Sequence, residues 1–368
     1  MKYVRMPIEI ESPEQMGYDT IKCNLTESSV RDLTFKDLNI DLSELSICYG
    51  HHVGKPELRT LIANNHLGIH QEDVLLTTGA AGALFIINSS LLSPTDHLIV
   101  MRPNYGTNIE TPKALSCQIT YIDLCIEQNF KVSINAFREA IQPNTKLISI
   151  TTPHNPTGVC LSLDELNEIL ELGKANNIPV LVDETYREIP IGKNALPMAA
   201  TLSDGAVSIC SLSKSYGLPG IRLGWLVTKN KELFNMFLAA KEQIYICNSV
   251  VDEEIAYLAM LKKDDILPLI RRNIERNFQH VLHWLKKEKR LDFVLPDGGV
   301  VVFPRINIPV DIERFYEILN RKYSTYVGPG HWFEMDKRHF RLGFGWPTET
   351  ELLEGMENIS KALDEAVK

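Results

Sequence analysis

The sequence lacks paired cysteines, long apolar runs and an excess of basic residues, and each of these absences excludes a class of protein. Its seven cysteines form no CxxC pair and follow no regular spacing, which is typical of reduced thiols rather than of a disulfide scaffold. The longest apolar runs have only the length of a strand, so no membrane-spanning helix is expected. The net charge of −9 disfavours binding to nucleic acid or to anionic membranes. The N-terminal sequence MKYVRMPIEIESPEQ has no apolar core of the kind found in signal peptides, and we therefore expect a cytoplasmic protein.

The composition is that of a globular protein, and the length exceeds what one ordinary core needs. The chain has 368 residues, of which 44% are hydrophobic and 23% are charged. Two domains are expected at this length. The polar, irregular residues 1–44 are too few to fold alone, so they are predicted to form an N-terminal arm that belongs to the small domain. The major domain is predicted over residues 45–245 and the C-terminal small domain over residues 246–368.

Short β-rich runs alternate with helical segments from Val74 to Trp225. This alternation predicts an α/β fold, with a three-layer α/β/α major domain around a mostly parallel seven-stranded sheet. The strands are predicted at Val74–Thr78, His97–Met101, Gln118–Ile122, Lys146–Thr151, Pro179–Asp183, Val207–Ser211 and Leu223–Thr228. Helices are predicted between them at Gly82–Leu92, Ile134–Ile141 and Leu163–Asn176.

The segments on either side of the sheet predict a smaller α+β domain and one further helix. That helix begins at residues 54–56 and is expected to stop at Gly68. Residues 231–290 are rich in helical patterns, within which Pro268 kinks or starts a helix. Strand signals return after Phe293, with a hairpin turn expected at residues 298–299.

Four histidines near the first of these helices raise the question of a metal site. They are His51, His52, His66 and His70. No acidic or cysteine ligand stands at a matching spacing, and two adjacent histidines of an extended segment point apart. No metal is therefore predicted.

The stretch SLSKSYGLPGIRLGW, residues 211–225, carries the most unusual chemistry of the chain. Lys214 follows a predicted buried strand and stands between Ser211, Ser213 and Arg222. Ligands of open α/β sheets bind at the carboxyl ends of the strands. A lysine amine beside anion-binding groups suits Schiff-base formation with a phosphorylated aldehyde, namely pyridoxal phosphate. Taken alone, the stretch also fits a solvated loop lysine.

Two glycine-containing motifs upstream support a ligand at the same edge of the sheet. In TTGAAGALF, the small residues 79–82 allow close backbone approach at a helix start, where N–H groups attract a phosphate. In RPNYGTN, Tyr105 follows a strand and can stack on an aromatic ring. Taken alone, the first motif is explained more simply by tight packing, and the second by a half-buried tyrosine in a turn.

Two more motifs follow predicted strands. In TPHNPTG, Asn155 lies in a turn just after a strand, although an ordinary β-turn explains that pattern as well. In VLVDETYRE, Asp183 ends an apolar strand, so its carboxylate needs a cationic partner, which a protonated pyridine nitrogen supplies. Tyr186 can then hydrogen-bond the phenolic oxygen of the same ring. The alternative for Asp183 is a helix N-cap.

Together these motifs resemble the fold-type I pyridoxal-phosphate aminotransferases of class I and II. The resemblance extends from Tyr49 to the C-terminal RLGFG and rests on NPTG, D-x-x-Y, and S-x-S-K with an arginine eight residues after the lysine. It implies an enzyme that moves an amino group between an L-amino acid and a 2-oxo acid through an internal aldimine, which is the Schiff base of Lys214 with pyridoxal 5'-phosphate. It also implies a homodimer.

The resemblance further implies a role for each motif residue. Lys214, Asp183 and Tyr186 would be catalytic. The residues implied in cofactor binding are Ala80, Ala81, Ser211, Ser213 and Arg222 at the phosphate, Tyr105 on the ring face, and Asn155, Asp183 and Tyr186 at the ring edge, with Lys214 attached. Tyr49 would reach the phosphate of the cofactor in the neighbouring subunit. Arg341 would bind the α-carboxylate of the substrate, and Asn155 is assigned to the substrate as well.

The chain departs from the family pattern at two places. Many relatives have serine or threonine where this chain has Ala80 and Ala81, which leaves that part of the phosphate to backbone amides. The arm sequence NLTESS replaces more familiar substrate-contacting sequences, so the substrate side chain is not assigned. The arm, YGHHVGKPELR and GPGHWFE are similar to enzymes of the capreomycidine synthase type, which cyclise a modified arginine.

Two alternatives to transamination remain open at this point. The same cofactor and motifs also serve β- or γ-elimination, replacement and cyclisation, since function resides in the site rather than in the fold. A pyridoxal-phosphate-binding domain of a transcription regulator is the other alternative. It is disfavoured because the residues before Tyr49 contain no basic helix pair and the chain is acidic.

Overall fold

The computed structural model describes residues 1–192 and 194–367. The helices in these residues are α1 (Pro7–Glu11), α2 (Pro13–Met16), α3 (Phe35–Leu38), α4 (Pro56–Asn64), α5 (Gly79–Leu91), α6 (Thr107–Leu115), α7 (Ile134–Ala140), α8 (Leu163–Ala175), α9 (Ala199–Leu202), α10 (Leu212–Ser215), α11 (Lys231–Tyr245), α12 (Val250–Leu261), α13 (Lys263–Lys287), α14 (Ile312–Glu317) and α15 (Glu349–Ala366). The strands are β1 (Cys23–Asn24), β2 (Val74–Thr78), β3 (His97–Arg102), β4 (Gln118–Asp123), β5 (Thr145–Thr151), β6 (Val180–Asp183), β7 (Ala206–Ser211), β8 (Leu223–Val227), β9 (Leu291–Asp292), β10 (Val301–Val302), β11 (Arg305–Ile306), β12 (Thr325–Tyr326), β13 (Gly328–Pro329) and β14 (Phe340–Gly343).

Seven strands form the central sheet in the order β2-β8-β7-β6-β5-β3-β4. β8 runs antiparallel to both of its neighbours, and all other adjacent pairs are parallel. β6, β7 and β8 are buried along their whole length, as expected for strands covered on both faces. All seven predicted strands are present with ends within one residue of the prediction, so the mostly parallel seven-stranded sheet is confirmed.

Helices cover both faces of this sheet because successive strand residues point to opposite sides. Leu98 and Val100 of β3 pack with α5 and α11 on one face. Ile99 and Met101 of the same strand pack with α7 and α8 on the other face. This arrangement is the predicted three-layer α/β/α architecture.

The three helices predicted between the strands are also present, with one informative shift. α8 begins after a capping box in which Ser162 accepts from the amide of Glu165 and the Glu165 side chain accepts in return. α5 begins at Gly79 rather than at Gly82. Its first turn therefore contains the small residues, whose amide groups have no acceptor within the helix.

A second core lies between α13, α14, α15 and the short strands β9 to β14. Phe315, Phe340 and Phe344 are fully buried in it. The N-terminal arm joins this core through Leu25 and through β1, which pairs in parallel with β12. The small part of the molecule is thus α+β, as predicted.

The structure contradicts two expectations about local elements and narrows a third. α4 ends at Asn64 instead of Gly68, and two consecutive asparagines, which are weak helix formers, stand at 64 and 65. No hairpin forms around residues 298–299, since β9 pairs with β11 and β10 pairs with β14. Pro268 lies inside α13 and does not start it.

The division into residues 1–44, 45–245 and 246–368 stays a prediction. Helix α12, beyond the predicted boundary, packs on α4 and β8 of the major domain through Ile255, Ala256 and Ala259. In the part of the chain that is described, no helix combines the length and apolar composition that crossing a bilayer requires.

Candidate active site

A cavity of about 330 Å³ opens where strands β5, β6 and β7 end. Parallel strands bring their carboxyl ends to one edge of a sheet, so Thr151, Asp183 and Ser211 meet there. The arm and the small domain close the opposite side of the cavity. The predicted residues that line this space are Ala80, Ala81, Tyr105, Asn155, Asp183, Tyr186, Ser211, Ser213, Lys214, Arg222 and Arg341.

Lys214 lies on the single-turn helix α10, directly after β7. Burial lowers the pKa of its amine, and the guanidinium groups of Arg341 and Arg222 act in the same direction, while the carboxylate of Glu27 opposes them. Its carbonyl accepts a hydrogen bond of 2.9 Å from the amide of Val30, which fastens the arm to this turn. The amine is therefore held inside the cavity in an environment that disfavours its charge.

Asp183 ends β6 and is buried. Its Oδ1 accepts from the amide of Thr185 at 3.1 Å and from the Thr185 hydroxyl at 2.6 Å. Burial raises the pKa of this carboxyl, and the Thr185 and Asn108 side chains offset part of that rise. A buried carboxylate in such a place is stabilised by a cationic ligand.

Two buried polar groups of residues that line this cavity have no hydrogen-bond partner of normal geometry in the described part of the chain. The hydroxyl of Tyr186 and the Nε of Arg341 form no hydrogen bond within the described residues. Burial raises the pKa of Tyr186 to about 12, although nearby Arg341 acts to lower it. Buried polar atoms in native proteins are nearly always satisfied, so both groups indicate a ligand.

The first turn of α5 forms one wall of an anion cradle. A Cβ on Gly224 of the neighbouring strand β8 would lie only 2.6 Å from the carbonyl carbon of Gly79 and 2.8 Å from the amide nitrogen of Ala80. Glycine at 224 thus lets the sheet approach this turn closely. Ala80 and Ala81 of this turn line the cavity at the N-terminus of a thirteen-residue helix, where free amides and the helix dipole favour a phosphate.

Arg222 completes the cradle from the other side. Its φ of 47° lies in the left-handed region, and its Nη1 donates to the carbonyl of Pro219 at 2.8 Å and to Ser213 Oγ at 3.4 Å. A Cβ on Gly79, whose φ is 67°, would come within 2.9 Å of Arg222 Nη2. The guanidinium therefore lies directly over the start of α5, where the positive φ favours glycine at 79.

Arg341 is a buried guanidinium on β14. Its Nη1 donates to Asn155 Oδ1 at 2.9 Å and its Nη2 donates to the carbonyl of Thr26 at 2.6 Å, and the group stacks over the Phe333 ring at 4.8 Å. No ion pair in residues 1–192 or 194–367 includes it. Neutral partners orient the group without neutralising it, so an anionic ligand is expected there.

Tyr49 does not join these residues within one chain. It lies outside the cavity and is 84% exposed.

The structure adds residues that the sequence did not single out. The N-terminal arm contributes Glu9, Glu14, Glu27 and Ser28, and the small domain contributes Trp332. The arm segment NLTESS was distinctive in the sequence, but it has no hydrophobic periodicity that predicts its position at the cavity. Long-range contacts bring it there, such as the pairing of β1 with β12 and the hydrogen bond from the amide of Gly343 to the carbonyl of Leu25.

Residues 24–359 match the family model of aminotransferase class I and II. The chain belongs to this family. This chain is 27% identical over 356 residues to capreomycidine synthase from Streptomyces vinaceus. The match covers 94% of this chain and 91% of the relative. The chain is 28% identical over 329 residues to an aspartate aminotransferase from Pyrococcus horikoshii, covering 86% of this chain and 83% of the relative. A solved structure of a PLP-dependent aminotransferase from Streptococcus suis superposes with a TM-score of 0.92 at 27% identity, covering 100% of both chains.

Membership in this family implies pyridoxal phosphate as the cofactor, and the residues of the aminotransferase fit that group. The cradle of Ala80, Ala81 and Arg222 suits its phosphate, and the buried carboxylate of Asp183 suits its ring nitrogen. The unpartnered hydroxyl of Tyr186 suits its phenolic oxygen, and the amine of Lys214 suits its aldehyde. Each polar group of the cofactor has a chemically matched residue in the same cavity.

Proposed function

We propose that this aminotransferase moves an amino group between an L-amino acid and a 2-oxo acid at the cavity around Lys214. One observation carries the proposal: an amine of lowered pKa, a buried carboxylate, an anion cradle and a buried guanidinium converge on one cavity. Each group alone has a structural explanation. Amino-group transfer has four requirements: attachment of the cofactor, protonation of the cofactor ring, binding of its phosphate and orientation of the substrate. The four groups match these requirements one by one.

The residues at the cofactor provide binding and electrostatics. When bound, pyridoxal phosphate supplies an aldehyde that takes up an amino group and a ring that accepts the electrons of a broken Cα–H bond. Arg222 and Ser213, with the first amides of α5, hold the phosphate. Asp183 keeps the ring nitrogen protonated, because a buried carboxylate favours a cationic partner. Tyr186 would donate a hydrogen bond from its hydroxyl to the phenolic oxygen.

Lys214 and Arg341 act on the substrate. The lowered pKa of Lys214 leaves more of its amine neutral, and only a neutral amine can attack a carbonyl or take a proton. The amine of Lys214 would therefore hold the cofactor and, once freed, could take up the proton of the substrate Cα and return it. Arg341 binds the α-carboxylate, and the bond from its Nη1 to Asn155 fixes the plane of the guanidinium.

Borohydride reduction followed by peptide mapping tests the attachment. We expect a pyridoxyl group on the peptide that contains Lys214, and none in Lys214→Ala. Transfer is tested by adding single L-amino acids to the holoenzyme, which should convert the absorbance of the aldehyde form into that of the amine form with release of one equivalent of 2-oxo acid. An adduct on another lysine, or amino acids that never produce this conversion, would refute the proposal.

A cyclase or lyase is the second candidate, and the match to capreomycidine synthase over 94% of the chain favours it. The same residues would bind the cofactor and the α-carboxylate, and only the fate of the substrate side chain would differ. Mass spectrometry of the products distinguishes the two reactions. A cyclised product, or ammonia or pyruvate formed without an oxo-acid acceptor, identifies the second candidate.

We also infer a homodimer in which Tyr49 reaches the phosphate site of the second subunit. Two large apolar side chains, Ile47 and Tyr49, are each 84% exposed close together in the sequence, as expected for residues that a second copy covers. Tyr49→Phe should raise the dissociation constant of pyridoxal phosphate about tenfold while the mass from light scattering stays that of a dimer. A monomeric protein, or unchanged cofactor affinity in Tyr49→Phe, contradicts this inference.

A cytoplasmic location is the setting we propose for this enzyme. Cys23 and Cys210 are thiols buried in the core, of the kind that a reducing compartment preserves. Fractionation of cells that express a tagged copy tests the location, and recovery outside the cytoplasm would contradict it.

A further inference from the structure

Three carboxylates from the N-terminal arm line the same cavity as Lys214. Glu9 lies on α1, Glu14 on α2 and Glu27 just beyond β1. They stand on separate elements, so their proximity results from the fold and not from a local acidic run. The cavity therefore carries negative charge on the wall formed by the arm.

The backbone fixes Glu27 relative to the proposed α-carboxylate site. The carbonyl of its neighbour Thr26 accepts from Arg341 Nη2, and the amide of Gly343 donates to the carbonyl of Leu25 at 2.8 Å. A Cβ on Gly343 would lie 1.8 Å from the carbonyl oxygen of Glu27, so the two segments are in direct contact. A substrate held by Arg341 thus extends beside a rigidly placed glutamate.

The side chain of Glu27 is oriented but not neutralised. Its Oε1 accepts from the hydroxyl of Tyr18 at 3.1 Å and from Asn24 Nδ2 at 3.4 Å, and no hydrogen bond of the described residues reaches its Oε2. Burial raises the pKa of this carboxyl, and the nearby amine of Lys214 opposes that rise. Two neutral donors therefore hold one oxygen while the other remains available to a ligand.

In the proposed function, each cation of the cavity already has an anionic partner, whereas the arm glutamates have none. Arg222 faces the phosphate, Arg341 faces the α-carboxylate, Asp183 faces the ring nitrogen, and Lys214 gives up its charge on attaching the cofactor. The ion pairs of the described chain include none of the three arm glutamates. Glu27 then loses the favourable charge of Lys214 when the cofactor is attached, and Arg341, the other cation that acts on it, faces the α-carboxylate.

The same wall disfavours the common anionic substrates of amino-group transfer. A carboxylate on the substrate side chain would be repelled by the arm glutamates. Such repulsion lowers the affinity for the wrong ligand more than the loss of a favourable contact does. Ile8 and Trp332 line the space as well and offer apolar surface to methylene groups. An aliphatic chain that ends in a positive charge satisfies both features.

We propose that the amino substrate is an L-amino acid with a guanidinium or ammonium group at the end of an aliphatic side chain, recognised by the carboxylate of Glu27 within the negative field of Glu9 and Glu14. This inference rests on the proposed function, since Arg341 must hold the α-carboxylate. It applies equally to transamination and to cyclisation, because it concerns binding and not the later fate of the side chain.

L-Arginine and L-citrulline are the decisive pair of probes because they have the same shape and differ in side-chain charge. Their affinity is measured by calorimetry on the borohydride-reduced holoenzyme, which cannot turn over, and their reaction by the absorbance change of the unreduced enzyme. We expect arginine to be preferred over citrulline at least about tenfold, and aspartate to be the poorest of the three. Glu27→Gln should reduce the preference for arginine to within about threefold by raising its dissociation constant, while the citrulline value changes little.

A matched control removes the same charge elsewhere on the arm. Glu44 is exposed and lies outside the cavity, so Glu44→Gln should keep the full preference. Equal binding of citrulline and arginine, preference for aspartate, or an unchanged ratio in Glu27→Gln would overturn the inference while leaving the proposed function intact. Failure of the proposed function itself is distinct, because then no pyridoxyl group appears on the Lys214 peptide.

Discussion

At the scale of single residues, opposing neighbours determine the state of Lys214. Burial and two guanidinium groups lower the pKa of its amine, whereas Glu27 raises it. Glu27 thus has two effects, since it limits the neutral fraction of the lysine and offers a carboxylate to the ligand. Removing its charge should separate these effects.

We predict that Glu27→Gln lowers the pKa of Lys214 further. The neutral amine is the nucleophile, so the rate at which apoenzyme forms a borohydride-trappable adduct with pyridoxal phosphate rises as pH rises through the pKa of the lysine. In Glu27→Gln this rise should occur at lower pH than in the wild type. Stopped-flow absorbance over a pH series measures it, with Glu44→Gln as the control. Superimposable profiles would contradict the prediction.

Arg341 is the residue for which arginine and lysine differ most. Its two donors to Asn155 and Thr26 depend on the planar fork of a guanidinium, which an ammonium cannot reproduce. We predict that Arg341→Lys raises the KM for the amino substrate about tenfold or more, with the spectrum of the bound cofactor unchanged. Steady-state kinetics and titration with pyridoxal phosphate measure the two effects. An unchanged KM, or the same rise in Arg31→Lys on the exposed surface, would exclude this role.

The sequence predicted the residues of the cavity wherever a side chain follows a buried strand. Asp183 and Ser211 end apolar runs, and that position alone brings them to one edge of a parallel sheet. The arm glutamates could not be predicted in this way. Their place depends on contacts between residues about three hundred positions apart, such as Cys23 with Thr325, and no local pattern records such contacts.

At the scale of elements, the packing of β8 against the first turn of α5 shapes the anion cradle. β8 is the antiparallel strand of the sheet, and Gly224 lies at the point where it meets α5. Strand positions were predictable because each strand is a short apolar run between turn residues. The partners of the two-residue strands were not predictable. The tertiary core, and not a neighbouring turn, determines that a strand such as β10 pairs with β14.

We predict that Gly224→Ala destabilises the protein by about 1–3 kcal/mol, because its Cβ would overlap backbone atoms that cannot move aside. Cofactor affinity should fall with it, since the first turn of α5 shifts. Gly220 is a matched control in the same segment, because a Cβ there meets no atom within 4 Å. Gly220→Ala should change stability by less than about 0.5 kcal/mol. Denaturant unfolding and pyridoxal phosphate titration measure both variants, and equal effects would show that the close approach does not matter.

At the scale of the whole molecule, buried histidines couple stability to pH. Burial lowers the pKa of His154 to about 4, and its Nδ1 lies 2.8 Å from Thr157 Oγ1. The unfolded chain takes up a proton near pH 6.5, but the folded chain does so only near pH 4. His154 therefore reduces the free energy of unfolding as pH falls through this window, and the effect is absent above it.

We predict that His154→Gln loses less stability than the wild type between pH 7 and pH 4.5. The difference should be on the order of 2 kcal/mol, given the size of the pKa change. Urea unfolding at several pH values measures it. Parallel pH profiles of the two proteins would show that His154 does not titrate with a lowered pKa.

The pairing of the arm with the small domain has a consequence for biosynthesis. Residues 23–30 contact Thr325, Gly343 and the backbone of Lys214, and the carbonyl of Thr26 accepts from Arg341. During translation the arm is made about three hundred residues before these small-domain partners, so the central sheet can assemble before the carboxylate-binding pocket does. In that interval the arm is unpaired, and it is a defined segment for chaperones to shield.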